Sequence, residues 1–191
     1  GGLRNMEMKS NLLNMALCLS LVCLVCSGLL GGVYALTAEP IARTNAEILK
    51  ASIAQVLPEG GEISDAMPLE VGGQPSEYYV SRDGENVLAY AVKSTVVGFG
   101  GPLVLMVGIT PDGQIFNTSV LSHNETPGLG AKCVSDVHFM DQFKGFDTKS
   151  RNLSVKKDGG DVDAITASTI TSRAYSLAIS NAVNALGNII G

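Results

Sequence analysis

Positive charge is scarce in this chain: 13 Lys and Arg stand against 18 Asp and Glu, a formal net charge of -5 over 191 residues. The basic residues are also scattered, whereas recognition of a phosphate backbone needs them gathered in a stripe, so a nucleic-acid partner is excluded. Cysteine is nearly missing outside one segment. Cys18, Cys23 and Cys26 share a single apolar run and Cys133 stands alone after it, so no disulfide framework staples the remainder. Histidine occurs only as His123 and His138, and with Cys133 these do not form a recognisable metal-ligand spacing. There is neither a G-x-G-x-x-G nor a P-loop signature, which removes support for a nucleoside triphosphate site.

One long hydrophobic run is present, at the front. From Ser10 to Ala38 the chain carries no charged residue, and as a helix this segment would be about 43 Å long. A bilayer core needs roughly 20 residues, so residues 10–38 are expected to span with some overhang. A cleaved signal peptide has a shorter apolar region, and no convincing cleavage site follows this one. Lipoprotein processing is disfavoured because Val precedes both Cys23 and Cys26. The segment therefore reads as an uncleaved single-pass anchor. Cys23 and Cys26 share a helix face, where packing against a neighbouring helix is favoured over a metal or redox pair. Gly28, Gly31 and Gly32 permit such close approach. Arg4 and Lys9 precede the span, partly offset by Glu7, while Glu39 follows it directly and Arg43 comes a little later. The positive-inside tendency then places residues 1–9 in the cytoplasm and residues 39–191 outside it.

The outer part reads as one α+β domain, an antiparallel sheet with flanking helices. Residues 39–57 carry Ile41, Ile48, Leu49, Ile53 and Val56 at helical spacing, giving a stalk helix interrupted at Pro40. From Pro58 to Pro75 a loop is expected, with at most a short strand. Two hairpins follow in residues 77–95 and 102–122, turning at Asp83-Gly84 and Asp112-Gly113. "GFGGP", residues 98–102, links them as a tight turn. "NETPGLGAKC", residues 124–133, brackets Gly128 and Gly130 with Glu125, Thr126 and Lys132, and such glycines let a backbone approach a flat ligand. A final helix is expected over about residues 172–190.

Just ahead of that helix, "DAITASTITS" packs five hydroxyls, Thr166, Ser168, Thr169, Thr171 and Ser172, behind Asp163, with no nearby His or Cys to activate them. A helix start offers free N–H groups and a partial positive charge suited to a phosphate. Plain N-capping is the alternative, although capping needs only one or two hydroxyls.

"DAITASTITS" resembles the flavinylation motif Asp-x-x-Ser/Thr-Gly-Ala-Thr-x-Thr. Together with "ETPGLGAK", "GFGGP" and the N-terminal span in the same order, it resembles the G subunit of the Rnf complex, from the membrane helix onward. The C subunit of the sodium-translocating NADH:quinone reductase is a longer relative with the same FMN-binding domain. By the resemblance, Asp163 matches the leading acid, Thr166 the Ser/Thr position, and Thr169 the acceptor of FMN through a phosphoester, with Thr171 and Ser172 trailing. Ala167 stands where the family has Gly, and Ser168, where it has Ala, is the alternative acceptor.

The resemblance also implies a separate flavin transferase that moves the FMN half of FAD onto the hydroxyl with a metal ion, which explains the missing base. Asp163 then serves transferase recognition or only orders the turn. The "ETPGLGAK" loop would lie along the flavin, with Gly128, Leu129 and Gly130 close to it, Leu129 giving an apolar face and Glu125 or Thr126 polar contacts. Lys132, Lys156 and Lys157 are candidate partners of the flavin or its phosphate, or plain surface charges. The implied function is electron relay by covalent FMN in a membrane complex that passes electrons between ferredoxin and NAD⁺, coupled to sodium ions or protons, in contact with its other membrane and peripheral subunits. No catalytic residue or metal site of its own is expected. A stand-alone membrane-anchored flavin reductase and a non-redox tethered module are the rival readings.

Overall fold

The computed structural model describes residues 12–190, so the flanking charges Arg4, Glu7 and Lys9 used for orientation lie outside it. The chain divides into two units, Gly1–Glu47 and Ile48–Gly191.

Helix α1, Leu12–Val56, begins in the first unit and ends in the second. It is long and apolar enough to cross a membrane, with a mean hydropathy of 2.3 in its most apolar window and none of that window buried by protein. A row of exposed Leu and Val side chains of this extent is stable only where the solvent is itself apolar. Pro40 does not interrupt the helix, contrary to the expectation from sequence. Proline removes one ladder hydrogen bond but leaves its own carbonyl as an acceptor. Thr44 Oγ1 donates to that carbonyl at 3.0 Å, and Thr37 Oγ1 donates to Val33 O at 2.8 Å on the preceding turn.

The second unit is built on a seven-stranded antiparallel sheet: β1 (Glu62–Ile63), β2 (Met67–Val71), β3 (Gln74–Asp83), β4 (Asn86–Val97), β5 (Pro102–Ile109), β6 (Gln114–His123) and β7 (Phe146–Asp147). The order is β1-β3-β4-β5-β6-β7, and β2 also pairs with β3. Both expected hairpins form, and the turn residues Gly84 and Gly113 take φ of +60° and +88°, where a Cβ would be strained. The region expected to be mostly loop instead holds two strands, because β1 and β2 are short pieces completed by pairing with β3.

Two layers cover the sheet. Even-numbered Val92 and Val96 of β4 and odd-numbered Leu103, Leu105, Val107 and Ile109 of β5 share a core with Tyr175, Ile179 and Leu186 of helix α3, Thr169–Ile190. Ala89, Ala91 and Met106 point the other way and pack with Ile53, Val56 and Leu57 at the end of α1. Burial on both faces explains why β5, "PLVLMVGI", is apolar without alternation. A short helix α2, Val137–Asp141, is held to α3 by the rings of Phe139, Phe143 and Tyr175, with centroids 5.0 to 5.4 Å apart. Tyr175 in turn shares a 2.7 Å hydrogen bond with Thr118 of β6. These contacts fix the start of α3 over one end of the sheet.

Candidate functional site

Helix α3 starts three residues earlier than its apolar pattern suggests, at Thr169, so the hydroxyl cluster forms its first turn and the β-turn before it. That turn is Ile165–Ser168, closed by Ser168 N donating to Ile165 O at 3.0 Å. Its third residue is Ala167, with φ of +62°, the only described non-glycine in the left-handed region. Glycine is favoured at such a position because a Cβ crowds the backbone. The methyl of Ala167 is thus tolerated under strain.

The five hydroxyls have separate environments. Ser172 Oγ donates to Ser168 O at 3.0 Å and accepts from Ile165 N at 2.9 Å, stapling the turn to the helix. Thr171 Oγ1, buried, donates to Glu125 Oε2 at 2.6 Å. Ser168 is also buried, at 7% exposure. Thr166 is exposed and lies off the cleft described below, leaving Thr169, half-buried at its wall, where Lys157 Nζ donates to its Oγ1 at 3.3 Å.

Glu125 joins the two Gly-rich links to this turn. Its Oε1 accepts from Phe99 N at 2.8 Å and Gly100 N at 3.3 Å, within the loop that Gly98 N closes onto Gly101 O at 2.8 Å. The residue is 5% exposed, and its carboxyl group is tied by three donors on two elements. The glycines around it are required by contact. A Cβ on Gly100 would strike Asn124 O, and one on Gly130 would strike Glu125 Oε2 and Thr171 Oγ1. Gly128 instead has open space and φ of +75°, so its role is to turn the chain. Beyond it Leu129 N and Ala131 N both donate to Thr126 O, at 3.2 and 3.1 Å, and Leu129 is left 44% exposed.

These elements enclose a cleft of about 320 Å³ lined by Phe99, Glu125, Thr126, Leu129, Gly130 and residues 167–171. Of the residues singled out in the sequence, Glu125, Thr126, Leu129, Gly130, Ser168, Thr169 and Thr171 come together there, while Gly128, Lys132, Asp163 and Thr166 do not line it. Asp163 lies behind the turn, its Oδ2 2.7 Å from Lys156 Nζ. Two lining residues, Phe99 and Ile170, at 66% and 52% exposure, are not singled out by the motifs. The available signal for Phe99 is an aromatic residue flanked by glycines in a link too short to bury it. Gln142, which does not line the cleft, is also not singled out by the motifs: its side chain accepts from Asp163 N at 2.7 Å and donates to Asp163 O at 3.0 Å, fixing the entry to the turn.

Cys133 lies buried below the cleft, and its thiol is pushed up to about 11, first by burial and then by the charge of Glu125. It is therefore a packed side chain, far from the thiolate that reactivity requires. His123 supports the loop, its Nδ1 accepting from Glu125 N at 3.2 Å. The cleft combines exposed apolar side chains, a helix start and one half-buried hydroxyl. That combination suits a flat, largely apolar ring system joined to a phosphate, with the ring against Phe99, Leu129 and Ile170 and the phosphate near the first turn of α3.

Comparison with known proteins agrees with this chemistry. The FMN-binding domain model matches residues 98–184, and that of the RnfG N-terminal region matches residues 8–56. The G subunit of the proton-translocating ferredoxin:NAD(+) oxidoreductase complex from Clostridium ljungdahlii is 32% identical over 176 residues, 91% of this chain and 90% of that one. The G subunit of the ion-translocating oxidoreductase complex from Shewanella baltica is 30% identical over 190 residues, 92% of this chain and 90% of its own. Among solved structures, Shewanella oneidensis NqrC is similar at 23% identity and a TM-score of 0.49, with 61% of each chain covered.

Proposed function

The chain belongs to the family of G subunits of ion-translocating oxidoreductase complexes, and from that premise we propose that it is a single-pass membrane protein relaying electrons through one FMN esterified to Thr169. The observation that favours this acceptor is the sorting of the hydroxyls at the start of α3: Thr171 is committed to Glu125, Ser172 to the turn backbone, Ser168 is buried, Thr166 lies off the cleft, and Thr169 stands half-buried at its wall. FMN, when bound, supplies reversible electron transfer. The chain supplies position. Thr169 holds the phosphate, Phe99, Leu129 and Ile170 offer apolar contact, and the Glu125 bonds keep the Phe99 loop and the α3 start at fixed separation.

The apolar helix is the anchor in this reading, and the flanking charges Arg4 and Lys9 before it and Glu39 after it favour a cytoplasmic N-terminus with the FMN domain on the extracytoplasmic side of the inner membrane. Its partners are the other subunits of the complex, through which electrons pass between ferredoxin and NAD⁺ with ion movement, and a flavin transferase during maturation. The transferase would bring the metal ion and the base, because the carboxylate lining the cleft, Glu125, is committed to Phe99 N, Gly100 N and Thr171 Oγ1.

Intact-mass measurement on the full chain produced with a flavin transferase tests the attachment. The expected result is the mass of one FMN, mapped to the peptide containing Thr169, lost in Thr169→Ala and retained in Ser168→Ala. Modification at Ser168, or none at all in the native chain, overturns it. Co-purification with the other membrane subunits, set against flavin reductase activity of the isolated chain, distinguishes a relay from a self-contained enzyme.

A further inference from the structure

Three cations surround the acceptor turn: Lys156 and Lys157 on the 3-10 turn Lys156–Asp158, and Arg173 on α3. Two are committed to carboxylates. Lys156 Nζ sits 2.7 Å from Asp163 Oδ2, and Arg173 takes both oxygens of Asp158, at 2.6 and 2.7 Å. Lys157 forms no ion pair among the described residues, and its ammonium donates instead to Thr169 Oγ1 at 3.3 Å. Asp158, next to it in sequence, has its carboxyl held below the usual range chiefly by the Arg173 hydrogen bonds and the Arg173 charge, with Lys157 adding a smaller share. Of these three cations, Lys157 is the one without an ion pair among the described residues, and it stands beside one hydroxyl.

We propose that Lys157 is the positioning residue for modification at Thr169: its ammonium orients Oγ1 for attack on phosphorus and then neutralises the phosphodiester that stays behind. The inference rests on the reading of Thr169 as the acceptor. The donated hydrogen bond occupies one lone pair of Oγ1 and turns the remaining lone pair and the hydroxyl proton away from Lys157. In the transfer from FAD, the Oγ1–P bond forms at the flavin-side phosphorus, the P–O bond to the adenylate half breaks, AMP leaves, and the Oγ1 proton passes to a base on the transferase. No oxidant or reductant takes part. The diester formed keeps one negative charge, and an unpaired ammonium already within hydrogen-bond range is matched to it. Lys156 and Arg173 have their charge already matched by Asp163 and Asp158, and among the described residues the ammonium that donates to Thr169 Oγ1 is that of Lys157.

The test uses the full chain, an FAD-dependent flavin transferase, FAD and Mg²⁺, with the gain of mass followed over time in the wild type, Lys157→Met and Lys157→Arg. Thermal melts establish that both variants fold. Lys157→Met is expected to load about tenfold more slowly, the loss of one charge-assisted hydrogen bond in the transfer step. Lys157→Arg, which keeps charge and donor, should recover most of that rate, and the ³¹P resonance of loaded chain should move in the Met variant and much less in the Arg variant. Loading of Lys157→Met at the wild-type rate overturns the inference and leaves Thr169 as acceptor intact, as does equal slowing in both variants. A wild-type chain that gains no mass at Thr169 removes the underlying reading, and this inference with it.

Discussion

Removing the Glu125 carboxyl should loosen the cleft before it unfolds the domain, and the size of the effect follows from the bonds it makes. Glu125→Ala leaves Thr171 Oγ1, Phe99 N and Gly100 N without their acceptor, in a spot where the parent side chain is 5% exposed. Each buried donor left unpaired costs about 1–3 kcal/mol. The cleft adjoins solvent, so water re-satisfies part of this, and a net loss of about 2–3 kcal/mol is expected. Glu125→Gln keeps an oxygen for the two amides and obliges the Thr171 hydroxyl to accept where it had donated, which should cost about 1 kcal/mol. Hydrogen exchange reads the loss where it occurs. The Phe99 amide should exchange about 30- to 150-fold faster in Glu125→Ala, while amides in the middle of β5 change little. A cycle with Thr171→Val should return a coupling of about 1–2 kcal/mol. Unchanged protection at Phe99 in Glu125→Ala would refute the claim that this carboxyl ties the loop to α3.

Two further outcomes follow from the same region. Ala167→Gly relieves a left-handed alanine at φ of +62°, worth about 1–2 kcal/mol, against about 0.4–1 kcal/mol lost through the freer unfolded chain; the melting temperature should rise by about 1–4 °C, and a fall would mean that the turn is not strained. Cys133 keeps its proton in the folded chain up to about 11, above its unfolded value of 9.0, so unfolding releases a proton across that window and stability should fall as pH rises from 9.0 toward 11, with no contribution below it. Burial raises the Tyr175 hydroxyl in the same direction. Cys133→Ser should flatten the alkaline fall in melting temperature, and iodoacetamide near pH 8 should leave native Cys133 unlabelled; rapid labelling there would contradict its burial.

What is legible in the sequence is local. The two hairpins can be read because alternation and a turn glycine sit within a few residues of each other, and the apolar span because its length alone decides the matter. Strands β1 and β2 carry too few residues to show a period, and they are strands only because β3 offers an edge. Helix α2 has five residues and owes its place to the ring cluster with Tyr175. At Pro40 the tendency of proline to break helices is outweighed by the long helix on either side of it, an outcome that a single residue does not reveal. Most residues of the cleft stand out in the motifs, but the reason they act together does not, since Glu125 meets partners 26 and 46 residues away.

That separation also resolves why so many hydroxyls gather in one short segment. A single threonine at a helix start would be drawn into capping, because the free N–H groups there compete for any oxygen in reach. Here the structural duties are distributed: Ser172 staples the turn, and Thr171 answers Glu125. Thr169 takes no part in those bonds, and its hydroxyl accepts from Lys157 at the cleft wall. Ser172 and Thr171 therefore serve the fold, and under the proposed function the phosphoryl acceptor is Thr169, which takes part in neither of those bonds and stands at the cleft wall.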